Sequence, residues 1–462
     1  MDLLPRLSAA VTAPGRRFRP RRVIEAAQAF VQVEASSGIV LLLAAVAALA
    51  WANSPWSDTY FEFWRTQAGI DLKLIAIRED LVHWVNDGLM TVFFFMAGLE
   101  IKRELAHGEL SSPRRALLPA AAALGGMVLP ALIYLAFNAG GSGGDGWGIP
   151  MATDIAFALG VLSLLSSRVP FGIKVFLLAL AITDDIGAIL VIAAFYTGSI
   201  DLEALGLAAV IFGAIVLMNR RGVRNIDVYV VAGILFWLAM FESGIHATLA
   251  GVALGLMAPA SAFYDPRSFA ASLDELATAY RAAIEGGSAD EQQGILAQIE
   301  DLSQGTEAPL ERLERKLHPW VSYGIVPLFA LANAGVALSG DLARDALSSP
   351  VSQGAALGLL LGKPLGIFAF TWLAVRLGLG RLPTGANWGQ ILGVGLLGGI
   401  GFTVSLLITG LAFEDGALVD EAKLGVLAAS LIAGLAGFVF LSATSRKTDG
   451  PLPAASDEDS RV

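Results

Sequence analysis

The sequence predicts an all-α, polytopic membrane protein with about twelve transmembrane helices, and three observations lead there. The 462 residues are 55% hydrophobic and only 16% charged, with a mean hydropathy of +0.65; a soluble domain is about a quarter charged. Long apolar runs recur along the chain, each near the roughly 20 residues a helix needs to cross a hydrocarbon layer of about 30 Å. Lys and Arg gather in alternate connections between those runs, the pattern that orients a chain in a bilayer.

The runs lie near 34–52, 81–100, 115–137, 150–165, 172–197, 203–219, 226–242, 245–258, 319–338, 352–376, 388–413 and 422–443. A long basic region precedes the first, and many spans follow it, so it reads as a retained helix and not a cleaved signal peptide. Arg16, Arg17, Arg19, Arg21 and Arg22 precede span one; Lys102, Arg103, Arg114 and Arg115 follow span two. Arg168 and Lys174 follow span four, and Arg220, Arg221 and Arg224 follow span six. Arg376 and Arg381 follow span ten, and Arg446 and Lys447 follow span twelve. Both termini are therefore expected in the cytoplasm, with 1–33 a basic extension suited to anionic lipid and 444–462 a disordered tail.

Two segments lie outside the helices. Residues 54–80 carry near-alternating runs, Tyr60–Trp64 and Asp71–Ile75, about a break at Gln67-Ala68-Gly69, which predicts a small external β-hairpin. Residues 260–318 form a cytoplasmic insert with helical stretches near 268–285 and 289–303. Between 265 and 310 it holds two basic and nine acidic residues, a net charge of −7. Acidic residues count little in the positive-inside rule, so the orientation stands.

Composition excludes several classes. A net charge of −10 gives no reason to expect nucleic acid, and the absence of cysteine removes disulfides, thiolate metal sites and cysteine nucleophiles. The four histidines, His83, His107, His246 and His318, lack zinc-ligand spacing. No cofactor is expected.

Charges inside a bilayer cost at least about 2.5–3.5 kcal/mol each, so each marks a candidate functional site. Met151–Phe157 places Asp154 in span four, Ala181–Gly187 places Asp184 and Asp185 in the middle of span five, and Gly362-Lys363-Pro364 places Lys363 in span ten. A buried structural ion pair is the plainer explanation, but three acids against one base leave neutralisation incomplete. Asp184 and Asp185, as sequence neighbours, leave a helix about 100° apart. One of them can pair with Lys363, which leaves the other for a proton or a mobile cation. Hard cations prefer carboxylate, hydroxyl and carbonyl oxygens, and Thr153, Thr183 and freed backbone carbonyls are candidates to complete such a shell. Competition of H⁺ and a small cation for one site suffices for exchange if the site alternates its exposure.

Helix breaks supply a frame. Span four is short, enters through Gly148-Ile149-Pro150, and offers Thr153 as an N-cap. Span eleven carries five glycines in the eleven residues 393–403, among them Gly398, Gly399 and Gly401. They permit unwinding where protein or water satisfies the backbone; close helix packing through small residues is the other reading. Corresponding breaks in two three-helix units, spans 3–5 and 10–12, point to inverted-topology repeats with the site between them.

These stretches resemble the bacterial NhaA Na⁺/H⁺ antiporters, a family already among the examples behind that rule of paired breaks. The resemblance is carried by Asn86–Met90, Gly98–Leu105, Ala152–Val161, Asp184–Ile189, Ser243–Gly251, Leu317–Trp320, Ala332–Val336, Gly362–Gly366 and Gly399–Thr403, in family order over about 34–443. It implies Asp185 as the principal Na⁺/Li⁺ and proton carrier and Asp184 as the partner of Lys363 in one state. It implies Thr153 and Asp154 at the crossing of interrupted helices four and eleven, with Asp154 offsetting two helix N-termini and Lys363 two C-termini. It further implies electrogenic exchange in an inner membrane, activation at alkaline pH through Glu100, Glu104, Glu314 and His318, and a homodimer formed through 54–80. A solvated charge network is the plainer reading of that cluster, and a satisfied interior histidine that of His246. The acidic insert and the basic N-terminal extension, both longer than the family leads one to expect, are departures.

Two rivals are weaker. An intramembrane aspartyl protease wants its aspartates on different helices around one water, and no Gly-x-Gly-Asp occurs. A cation channel favours a repeated filter and gains nothing from a lysine in the pathway.

Overall fold

A computed structural model describes residues 20–71, 76–165, 168–223, 226–262, 264, 266–338 and 340–445. The expectations for residues 1–19 and 446–462, and for Arg224, fall outside those residues. The chain is mostly helical. Among the described residues seven helices are long and apolar enough to cross a membrane unaided, and two further helix pairs pass that test only as bent pairs.

The helices follow the apolar runs closely. Helix α1 spans Pro20–Ala52 and α2 Ser57–Trp64, and the two strands are β1 Gln67–Asp71 and β2 Ala76–Asp80. Next come α3, Leu81–His107, opening through a wide π-helical turn at Trp84–Leu89, and α4, Pro113–Asn138. A 3₁₀ segment, Gly144–Met151, leads to α5, Ile155–Leu164, and then α6, Phe171–Phe195. Helices α7 (Leu202–Arg220), α8 (Ile226–Glu242) and α9 (Thr248–Met257) complete the first half. The insert forms α10 (Pro266–Gly286) and α11 (Ala289–Thr306). Beyond it α12 (Pro309–Trp320) runs through a π-helical turn, Val321–Ile325, into α13 (Val326–Asn333). The remainder is α14 (Gly340–Ser348), α15 (Pro350–Arg376), α16 (Trp388–Gly398), α17 (Phe402–Ala412) and α18 (Gly416–Thr444).

The 54–80 segment differs from its expected form. Tyr60–Trp64 is helical, and the hairpin pairs Gln67 with Asp80 through Asp71 with Ala76 instead. The reason is tertiary: Tyr60 and Trp64, four apart, share one helical face and are both buried. The Tyr60 hydroxyl donates to the Leu331 and Ala332 carbonyls at 2.9 and 3.1 Å, and its ring meets Trp51 edge-on at 5.4 Å. A strand would also put both rings on one face, but about 13 Å apart along it, where the helix brings their centroids to 6.4 Å.

Burial separates central from peripheral helices. Of the most apolar window, 61% is buried in α6 but 11% in α7. Leu202, Leu207, Val210 and Leu217 on α7 are exposed, a surface that suits lipid and not water. Helices α4 and α15 touch backbone to backbone: a Cβ on Gly125 would lie 2.3 Å from the Gly366 carbonyl oxygen. Such small-residue contacts are how apolar helices associate where lipid offers no hydrophobic driving force. The contact sets Lys363, one turn before Gly366, against the centre of the bundle.

The insert is an αα-hairpin whose ends meet. Tyr264 N–H donates to the Gly305 carbonyl at 3.1 Å, and Leu310 N–H to the Pro259 carbonyl at 3.2 Å. Helix α12 therefore follows α9 as it would after a short loop.

Candidate ion site

The site forms where two helices stop. After Met151 the backbone is extended through Ala152, Thr153 and Asp154 before α5 begins, and between α16 and α17 it leaves the helix at Gly399–Gly401. The two breaks meet: Asp154 N–H donates to the Ile400 carbonyl at 2.6 Å. Helices α16 and α17 bend by 44° there. The break does not need a left-handed residue, since Gly399 has φ −70° and Gly401 φ −90°. It needs space: a Cβ on Gly399 would lie 2.6 Å from the Leu359 carbonyl, and one on Gly398 2.9 Å from Ile367. Unwinding and close packing, posed as alternatives by the sequence, occur together.

Each freed group has a named partner. Asp154, not Thr153, caps α5: its Oδ1 accepts from Phe157 N–H at 3.0 Å. Its Oδ2 accepts from Thr403 N–H at 3.2 Å and Thr403 Oγ1 at 2.8 Å, so one carboxylate serves the N-termini of α5 and α17 together. A negative charge at two positive helix ends is the favourable sign of that interaction. Thr153 is displaced from the expected cap because its hydroxyl is shared between Asp184 Oδ2, at 2.7 Å, and the Gly398 carbonyl, at 2.9 Å.

The neighbouring aspartates on α6 part company. Asp184 Oδ2 also accepts from Lys363 Nζ, and both side chains are 0% exposed. Asp185, 8% exposed, lines a cavity of about 60 Å³ together with Thr153, Asp154, Glu100 and Thr403. That volume admits a few waters. The Oδ1 atoms of both aspartates are buried and accept no hydrogen bond among the described residues, but of the two only Asp185 lines the cavity. Asp184 does not line this cavity, so the structure does not bring the two expected cation ligands to one opening. The Thr183 hydroxyl donates to the Ala179 carbonyl of its own helix at 2.7 Å, and Thr183 does not line this cavity.

The four expected pH-sensing residues divide as well. Glu100 faces the ion cavity. Glu104, buried, accepts from Glu109 N–H at 3.0 Å and so caps the turn after α3. Glu314 and His318 are both buried and one turn apart on α12, and Glu314 pairs with Arg103 of α3. Burial pushes the Glu314 carboxyl above the ordinary carboxylate range, Glu311 adds to that, and Arg103 and His318 pull it back. His246 meets the Tyr196 carbonyl at 2.5 Å, as a satisfied interior histidine does.

Arg103 is legible in the sequence only as a basic loop residue, and Thr403 and two further residues lining the cavity, Ser37 and Ser322, carry no assigned site role there. Thr403 had a signal, a hydroxyl directly after a glycine break, where a new helix must find caps. Ser37 and Ser322 had only their polarity within apolar runs.

A polytopic helical membrane protein with a buried carboxylate–ammonium pair, beside a second carboxylate open to an internal cavity, has the general form of an ion transporter. The family model described as Na⁺/H⁺ antiporter 1 matches residues 28–441. The chain is 47% identical to a Na⁺/H⁺ antiporter NhaA 2 of Sorangium cellulosum over 447 residues, 96% of this chain and 95% of that one. It is 50% identical to the NhaA of Rhodopirellula baltica over 413 residues, covering 89% and 92% of the two chains. With the NhaA of Anaeromyxobacter it shares 49% over 437 residues, covering 94% and 95%. The chain belongs to the NhaA family of Na⁺/H⁺ antiporters.

Proposed function

We propose that Asp185 is the carboxylate that binds Na⁺ or Li⁺ and H⁺ in turn, and that the chain exports sodium against entering protons across a bacterial inner membrane by alternating access. The observation that carries this reading is the buried Asp185 Oδ1, without a hydrogen bond, on the wall of an internal cavity. A carboxylate there gains a partner from a cation or a proton but not from both at once, and that competition couples the two fluxes. Asp184 is held by Lys363 and Thr153 in the state seen, and serves as the second proton-exchanging group when that pair opens. Two protons against one cation would make exchange electrogenic. Asp154, shared between two helix N-termini, keeps the breaks together while the site moves.

The full reading has twelve spans in inverted-topology repeats, with α5 and the α16–α17 pair as interrupted, crossing helices and both termini in the cytoplasm. The basic loops and the resemblance support it. So is alkaline activation through the Glu314–Arg103 end read from the resemblance, together with the raised proton affinity of Glu314, and a homodimer through β1–β2.

Everted vesicles carrying a preformed pH gradient provide the test. Na⁺ or Li⁺ should dissipate the gradient weakly in acid and strongly in alkali. Asp185→Asn should lower that exchange by on the order of 100-fold, equivalent to about 2.7 kcal/mol. Full exchange in the variant would sink the mechanism.

A further inference from the structure

The cavity at Asp185 has a second polar face that the aspartates do not account for. Helix α1 contributes Ser37 and Leu41 to its lining, and the stretch 321–326 contributes Val321, Ser322 and Val326. Ser37 and Ser322 are thus the polar residues these two elements present to the cavity, and both are buried, at 1% and 8% exposure. Their neighbours explain the placement. Ser36 Oγ and Tyr323 OH are hydrogen-bonded, tying α1 to the π-helical turn one residue away from each cavity serine. The wide turn sets the register: it carries Tyr323 to Ser36 and leaves Ser322 lining the cavity.

We propose that Ser37 and Ser322 form the neutral-oxygen wall of the cation site, holding the hydration waters a Na⁺ or Li⁺ ion keeps when Asp185 takes it. This rests on the reading of Asp185 as the ion-binding carboxylate. A single carboxylate cannot surround a hard cation, which seeks several oxygens, and a cavity of about 60 Å³ has room for a few waters beside it. A hydroxyl both donates and accepts, so it can orient a water toward a cation and hydrogen-bond elsewhere. Water-mediated contacts of this kind are nearly as good as direct ones. Because Li⁺ is smaller and grips its water more tightly than Na⁺, a wall that acts through water affects the two ions unequally.

The test uses the full chain in proteoliposomes, with the half-saturating Na⁺ and Li⁺ concentrations measured at fixed pH. Ser37→Ala and Ser322→Ala should each raise the Na⁺ value about fivefold, the loss of one modest hydrogen bond. The double variant should raise it further, and the Li⁺ to Na⁺ ratio should change by about twofold or more. A purely structural role would shift both ions by the same factor, so an unchanged ratio, or unchanged half-saturation in the double variant, overturns the proposal. Should an alanine variant fail to accumulate, Ser37→Cys and Ser322→Cys keep the side-chain shape while replacing oxygen with a larger, softer sulfur, and the same ratio decides. Asp185→Asn run in parallel separates the two readings: persistence of Na⁺-driven exchange there refutes Asp185 as carrier, whereas its loss with normal serine variants refutes the wall alone.

Discussion

The buried centre of this molecule and the contact between α3 and α12 treat carboxylates differently. At the centre, Asp184 accepts from Lys363 and Thr153 while its neighbour Asp185 opens onto a cavity. At the α3–α12 contact, Glu314 has Arg103, and Glu104 on α3 has a backbone N–H, so each is satisfied by groups close at hand. The first arrangement leaves one acid facing a cavity where it can exchange its partner, and the second holds each acid against a fixed neighbour.

The sharpest way to break the contrast is at Lys363. Lys363→Met strands Asp184 in a fully buried position, so the protein should lose about 3–5 kcal/mol of stability, read as a lower thermal midpoint in detergent. The double variant Lys363→Met/Asp184→Asn should recover most of it; no recovery would mean the pair is not the source of the loss. Next comes Asp185→Asn, with its expected loss of exchange and little change in the thermal midpoint, since no hydrogen bond to its Oδ1 is broken. Asp154→Ala should be intermediate, about 1–2 kcal/mol in the thermal midpoint, because it removes the cap of two helices.

The α3–α12 contact should give smaller, pH-dependent effects. The folded-state affinity of Glu314 for its proton is raised, so the stability it contributes is complete below the ordinary carboxylate pKa and is lost as pH rises through the folded value. Docking of α12 on α3 should therefore loosen with rising pH, and Glu314→Gln should remove that dependence. If this loosening is what activates exchange, the variant's activity profile moves to more alkaline pH by up to about one unit. Hydrogen exchange on α12 reads the first effect and vesicle assays the second; a parental profile in both would remove Glu314 from the switch. Removing residues 266–304 should have the least effect on exchange itself, since the insert's ends already meet. A change confined to the pH profile is expected, and an unchanged profile would show that the insert is not part of the sensor.

The sequence by itself determined the class of the protein, the helix positions and the identity of the charged residues at its centre. Those follow from local facts: apolar runs of bilayer length, basic loops in alternation, and the high cost of a charge in hydrocarbon. It also paired Lys363 with one of two aspartates, and the family resemblance named Asp184. Only the tertiary structure decided what depends on distant chain segments. Asp154 became the cap because Thr153 was drawn to Asp184, 31 residues away. Tyr60–Trp64 became helical because partners at Trp51, Leu331 and Ala332 wait on one face. Glu100 turned into the ion cavity while Glu314, on another helix, took Arg103. Ser37 and Ser322 acquired a role only once α1 and the turn at 321–325 met. Hydroxyls and carboxylates carry no signal of their partner in the one-dimensional pattern; burial makes the choice, and burial is a property of the assembled bundle.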